Sequence, residues 1–217
     1  KIALLRRLGQ VDAARREVDI SLQSDVLEYG ALWEQALLNG NSAIREHIHL
    51  DSAVMIELAL DYAHAGLFSE ASELLQEPSQ HNTLAAYTLG WILSQAGQAL
   101  AAKNVFLRAA QCSPDYCFPN RLEDVHIFET AQEMNPQDGK AAYYLGNFWY
   151  AHRRYDEAIE CWLRAAELEP DFATVQRNLG LAFFNKRNQA QKALLCFENA
   201  FSLNKQDARV YFELDQL

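Results

Sequence analysis

The chain has 217 residues, half of them apolar, and a formal net charge of −10 from 29 acidic and 19 basic residues. Its longest basic runs are pairs, whereas a phosphate-binding surface needs clustered lysine and arginine, so we expect no nucleic-acid partner. No run of about 18 apolar residues occurs, so we expect no helix that spans a membrane.

Apolar residues recur at helical spacing along almost the whole chain, and only nine glycines and five prolines interrupt them. This pattern predicts an all-α protein with about 12–14 helices and no β-sheet. The four cysteines form no CxxC pair and are expected to be reduced, although four cysteines could pair in an oxidising compartment; Cys161 and Cys196, at the same position of successive repeats, are expected to be buried. Both chain ends fall in predicted helices, so we expect a fragment of a longer protein.

Residues 1–50 are predicted to form irregular helices, and their repeat register stays open. Gly9 lies at the break between the first two helices. Asp25 is expected to cap the next helix, which stops at Gly40. A short helix, SAIREHIH, is predicted at residues 42–49.

Two clearer helix pairs begin near Ser52 and Thr83, and Pro78 cuts short the second helix of the first pair. The next segment, 117–138, is only 22 residues long, shorter than the roughly 34 residues of a helix-pair repeat. They predict a single helix capped by Asn120. We therefore predict three parts: a first array of repeats at 1–116, a single-helix interruption at 117–138, and a second array at 139–217, truncated in its last repeat.

The pattern is clearest at residues 139–170, GKAAYYLGNFWYAHRRYDEAIECWLRAAELEP. Gly146 is expected to let the second helix approach closely, Trp162 to fill the space between the helices, and Pro170 to end the pair. Together with small residues at Ala158 and Ala165, this spacing resembles the tetratricopeptide (TPR) repeat. The resemblance implies a right-handed superhelix of antiparallel helix pairs.

Several longer strings carry a second resemblance: YCFPNRLED, AAYYLGNFWY, RRYDEAIECW, RNLGLAFFN and ARVYFELDQL. They look like the C-terminal TPR region of large, mostly bacterial proteins whose N-terminal half is uncharacterised, β-rich and carbohydrate-related. That resemblance implies a cytoplasmic protein in a sugar-utilisation setting. It assigns no catalytic residue within this chain.

In TPR arrays the first helices of the pairs line a groove for an extended peptide or a partner helix. The groove residues implied here are Lys140, Tyr143, Asn147, Tyr150, Arg177, Asn178, Phe184 and Arg209. Asn147, Asn178 and Arg209 match three of the five positions at which chaperone-type TPR grooves hold a terminal carboxylate. Tyr143 and Glu213 replace the other two, and Glu213 would repel a carboxylate.

The cations of this groove, Lys140, Arg177 and Arg209, stand out on an acidic chain. They predict a local positive spot that favours an acidic or carboxylate-bearing ligand, contacted by Arg177 and Asn178. We therefore expect a non-catalytic scaffold whose groove holds a peptide segment, a protein partner or the N-terminal part of its own chain.

Two alternatives stay open. The groove residues could pack against a neighbouring domain of the same chain. The fragment could also be the accessory half of a carbohydrate-active enzyme whose catalytic domain lies elsewhere. We expect no catalytic residue, no cofactor and no metal, because the sequence has no phosphate loop or catalytic motif, and His47 and His49 lie on different faces of a helix.

Overall fold

The computed structural model describes residues 1–41 and 51–217. These residues form thirteen α-helices and one short 3₁₀ helix, and they contain no β-strand, so the all-α prediction is confirmed. The predicted helix SAIREHIH, with His47 and His49, lies outside the described residues. None of the described helices combines the length and the apolar character needed to cross a membrane.

The described residues divide into two compact units, Lys1–Val105 and Phe106–Leu217. The first unit contains six complete helices and a short 3₁₀ helix at Pro78–Gln80. These helices are α1 (Ile2–Arg7), α2 (Val11–Ser24), α3 (Tyr29–Asn39), α4 (Ser52–His64), α5 (Phe68–Leu75) and α6 (Thr83–Gln95). Helix α7 (Ala99–Ala109) runs across the division between the two units.

After the end of α7, the second unit contains a single helix within residues 117–138, the segment predicted to interrupt the repeats, and then helix pairs. Its helices are α8 (Leu122–Met134), α9 (Gly139–Ala151), α10 (Tyr155–Leu168), α11 (Ala173–Arg187), α12 (Ala190–Leu203) and α13 (Ala208–Asp215). Helix α9 packs on α10, and α11 packs on α12. The first helices of the predicted repeats are therefore α9, α11 and α13.

Two glycines allow the two helices within each of these pairs to approach closely. A Cβ atom at Gly146 would lie 2.4 Å from the indole of Trp162, and one at Gly180 would lie 2.5 Å from the ring of Phe197. Real Cβ contacts are longer than this, so each glycine is the only residue that admits its aromatic partner without displacement. The predicted packing of Gly146 on Trp162 is confirmed.

Two predicted helix caps are wrong. Helix α3 begins at Tyr29 and not just after Asp25, whose carboxylate instead accepts from the backbone N–H of Leu27 at 2.9 Å. Glu28 caps α3 by accepting from the N–H groups of Gly30 and Ala31. Both carboxylates accept hydrogen bonds from nearby backbone N–H groups. The sequence alone does not show which of the two residues caps the helix.

The cap of α8 is also not Asn120. The buried carboxylate of Asp124 reaches back one turn and accepts from the backbone N–H groups of Asn120 and Arg121, at 2.8 and 2.9 Å. This is the return half of a capping box, in which the third helical residue satisfies the N–H groups before the helix. Burial raises the pKa of Asp124, although the two N–H groups oppose that shift.

The thiol of Cys117 is buried near Tyr144, and burial raises its pKa to about 12. At pH 8 the thiolate fraction is then about one in ten thousand, so iodoacetamide should alkylate Cys117 far more slowly than the partly exposed Cys112. Mass spectrometry of the alkylated peptides measures both rates. In denaturant the two rates should converge. Equal rates in the folded protein would contradict the buried position of Cys117.

Candidate functional site

The predicted groove residues lie on the first helices of the second unit. Helix α9 carries Lys140, Tyr143, Asn147 and Tyr150. Helix α11 carries Arg177, Asn178 and Phe184, and helix α13 carries Arg209. Their positions on three successive first helices agree with the sequence assignment. Contacts between these helices show which side chains come together.

Amide groups link α9 to α11. The side-chain oxygen of Asn147 accepts from Nδ2 of Asn178 at 3.3 Å and from Nε1 of Trp162 at 3.2 Å. The indole of Trp162 also donates to the backbone carbonyl of Tyr143 at 3.3 Å. The residue that packs on Gly146 therefore also orients Asn147, so the position of this amide depends on the packing of α9 on α10.

A buried ion pair links α11 to α13. Arg177 donates through Nη2 to Oε1 of Glu213, and the two side chains are only 17% and 9% exposed. Nε of Arg177 and Oε2 of Glu213 are shielded from solvent and make no hydrogen bond with the described residues. The acidic residue that the sequence placed in the groove is therefore the partner of one of its cations.

The other two cations also have partners. Nε and Nη2 of Arg209 bind the two carboxylate oxygens of Asp207 at 2.8 and 2.7 Å, and this pairing lowers the pKa of Asp207. Nζ of Lys140 donates to the backbone carbonyl of Cys112 at 2.6 Å. Because two of the three charges are balanced by carboxylates, the positive spot is weaker than the sequence predicts.

Tyr143 and Tyr150 of α9 are partly buried and form ring contacts with residues that follow the helix. The ring centroid of Tyr143 lies 4.8 Å from that of Phe172, and that of Tyr150 lies 5.3 Å from Trp162. Burial raises the pKa of Tyr143, and the charge of Arg209 opposes this shift. Direct side-chain contacts link α9 to α11 through the two asparagine amides, and α11 to α13 through the buried ion pair.

Two of the predicted groove residues, Tyr150 and Phe184, belong to neither the amide pair nor the ion pair described above and make other contacts. Tyr150 lies near the C-terminal end of α9, where Nζ of Lys186 is 6.0 Å from the centre of its ring and 4.7 Å from that of Tyr155. Phe184 packs partly against the hydrophobic core of the pairs. Sequence reasoning missed Phe172 and Lys186. Phe172 precedes α11, and Lys186 lies in the last turn of that helix, so neither falls at a groove position implied by the repeat.

The first unit contains a polar cluster that the sequence did not reveal. Glu34, 3% exposed, accepts from Nε of Arg6 at 2.6 Å and from the hydroxyl of Tyr62, and Arg6 also donates to Glu70 at 3.2 Å. Glu34 raises the pKa of Arg6, and burial raises that of Tyr62. The cluster borders a cavity of about 270 Å³, lined in part by Glu34 and Tyr62.

Comparison with solved structures gives distant similarity. The chain is 19% identical to MamA, covering 94% of this chain and 95% of MamA, with a TM-score of 0.39. It is 20% identical to PilF of Pseudomonas aeruginosa, covering 76% of this chain and 66% of PilF, with a TM-score of 0.42.

Comparison with curated proteins finds the peroxisomal targeting signal receptor of Komagataella phaffii. The two are 26% identical over an alignment of 165 positions, which covers 70% of this chain and 25% of the receptor. The chain therefore matches about a quarter of the length of this relative.

A family model described as the TPR repeat matches residues 146–186, from the glycine that packs on Trp162 to the last turn of α11. The match thus covers the end of one first helix, the second helix of that pair and most of the next first helix. The described residues are therefore all-helical, and residues 146–186 match the TPR repeat.

Proposed function

We propose that α9, α11 and α13 form a groove that binds an extended peptide segment of a protein partner. The observation that carries this proposal is the amide pair of Asn147 and Asn178, which lies on the same helices as the half-buried rings of Tyr143 and Phe184. Amides recognise a peptide main chain, and rigid aromatic rings add contact area at low entropic cost.

Asn178 has hydrogen-bonding capacity left for a ligand. Within the described part of the chain, its side chain makes one hydrogen bond, through Nδ2 to Asn147. An asparagine side chain offers two N–H donors and an oxygen with two lone pairs. Asn178 can therefore donate to a carbonyl and accept from an N–H of a bound main chain while it stays in contact with Asn147.

The curated relative supports this class of function, because its name describes a receptor for a targeting signal. The alternative, an accessory half of a carbohydrate-active enzyme, gains no support from the relatives found. A bound segment can belong to a separate protein or to another part of the same protein, and both present an extended main chain.

The test is capture of a degenerate pool of N-acetylated hexapeptides, made without asparagine or glutamine, on the immobilised chain. Asn178→Leu keeps the side-chain size and removes the hydrogen bonds, so capture should fall about tenfold. Asn199→Leu, at an exposed position of the second helix α12, is the matched control and should capture like the wild type. Equal capture by both variants, or no capture by the wild type, would refute the proposal.

A further inference from the structure

The ion pair between Arg177 and Glu213 bears on which ligand the groove selects, a question that rests on the function proposed above. A groove that holds a terminal carboxylate needs a cation whose charge is not balanced by the protein. Here the Arg177 side chain is 17% exposed and donates directly to the carboxylate of Glu213, which is 9% exposed. Arg177 is therefore neutralised from within the groove.

The two neighbouring cations also have partners: Nε and Nη2 of Arg209 bind the two carboxylate oxygens of Asp207, and Nζ of Lys140 donates to the backbone carbonyl of Cys112. A carboxylate brought beside Arg177 would also meet the negative charge of Glu213. Electrostatics at this point therefore disfavours an anionic group and tolerates a neutral one.

We infer that this groove selects an internal, uncharged main-chain segment and discriminates against a free C-terminal carboxylate, with the Arg177–Glu213 pair as the selective element. Glu213 acts here as a specificity-determining residue: its charge cancels that of Arg177. Removing the charge of Glu213 should therefore change the preference of the groove and not only its strength of binding.

The experiment divides the hexapeptide pool into two forms that differ only at the C-terminus, one ending in a carboxamide and one in a free carboxylate. The wild type should capture the carboxamide form about tenfold better. Glu213→Gln leaves Arg177 with an unbalanced charge, so the carboxylate form should gain and the ratio should approach or pass one. The double variant Arg177→Gln/Glu213→Gln removes both charges and should restore the preference for the carboxamide form.

Circular dichroism and thermal melting show whether each variant folds. If Glu213→Gln does not fold, the wild-type ratio and the double variant still decide the question. Equal or better capture of the carboxylate form by the wild type would overturn the inference and leave the peptide-binding function standing. An unchanged ratio in folded Glu213→Gln would also overturn it. Failure of the wild type to capture either form would instead overturn the proposed function.

Discussion

Replacing Glu34 with alanine is expected to lower the free energy of unfolding of the chain by about 3 kcal/mol. Glu34 is 3% exposed and accepts from Arg6 and Tyr62, which come from two other helices of the first unit. Its loss leaves a guanidinium and a phenol hydroxyl without their shared acceptor in a low-dielectric site. Glu70 still faces Arg6 at 3.2 Å, which keeps the effect at the lower end of the range for broken buried pairs.

Chemical denaturation with a helical circular dichroism signal measures this change. The matched control is Glu167→Ala, which breaks the ion pair between Arg164 and Glu167. The side chains of these residues are 51% and 71% exposed. Exposed pairs contribute about 0–1 kcal/mol, so the control should remain close to the wild type. If the free energy of unfolding fell by the same small amount in both variants, Glu34 would not be the centre of a buried cluster.

Replacing Gly146 with leucine should cost about 1–3 kcal/mol through overpacking. The added Cβ atom alone would lie 2.4 Å from the indole of Trp162, a residue that is 3% exposed. Leucine is a better helix former than glycine by about 1 kcal/mol, so the clash must exceed this gain for the net effect to appear.

The control is Ala151→Leu, a substitution at the exposed last residue of the same helix, which should change stability by less than about 0.5 kcal/mol. Gly146→Leu should also reduce peptide capture, because displaced Trp162 no longer donates to Asn147. A melting temperature equal to that of the wild type would show that helices α9 and α10 do not pack through this glycine.

The helix pairs of the second unit were predictable because their signals are local. The small residue at Gly146, the large one at Trp162 and the proline that follows the second helix lie within one repeat. The same glycine–aromatic pairing recurs at Gly180 and Phe197, with one extra residue between the two. The caps predicted at Asp25 and Asn120 were wrong because the nearby carboxylates of Glu28 and Asp124 accept the hydrogen bonds at these helix starts.

The pairing of the groove charges could be predicted only in part. The sequence placed Arg177 and Glu213 on successive first helices but could not show that they bind each other, because a contact across 36 residues depends on side-chain conformation. The cluster around Glu34 has the same origin: Arg6 lies 28 residues from Glu34 and 64 from Glu70, and no repeat spacing relates them. The domain boundaries and the groove assignment stay predictions.

The most direct test of peptide binding by the groove is a photocrosslink. Phe212, 66% exposed on α13, is replaced with benzoylphenylalanine, and Leu195, 59% exposed on α12, is replaced in a separate control. After irradiation with the carboxamide peptide pool, mass spectrometry measures the fraction of each protein that carries a peptide. We predict peptide attached at position 212 and little at position 195. Equal labelling at both positions, or labelling at 195 alone, would contradict binding along the first helices.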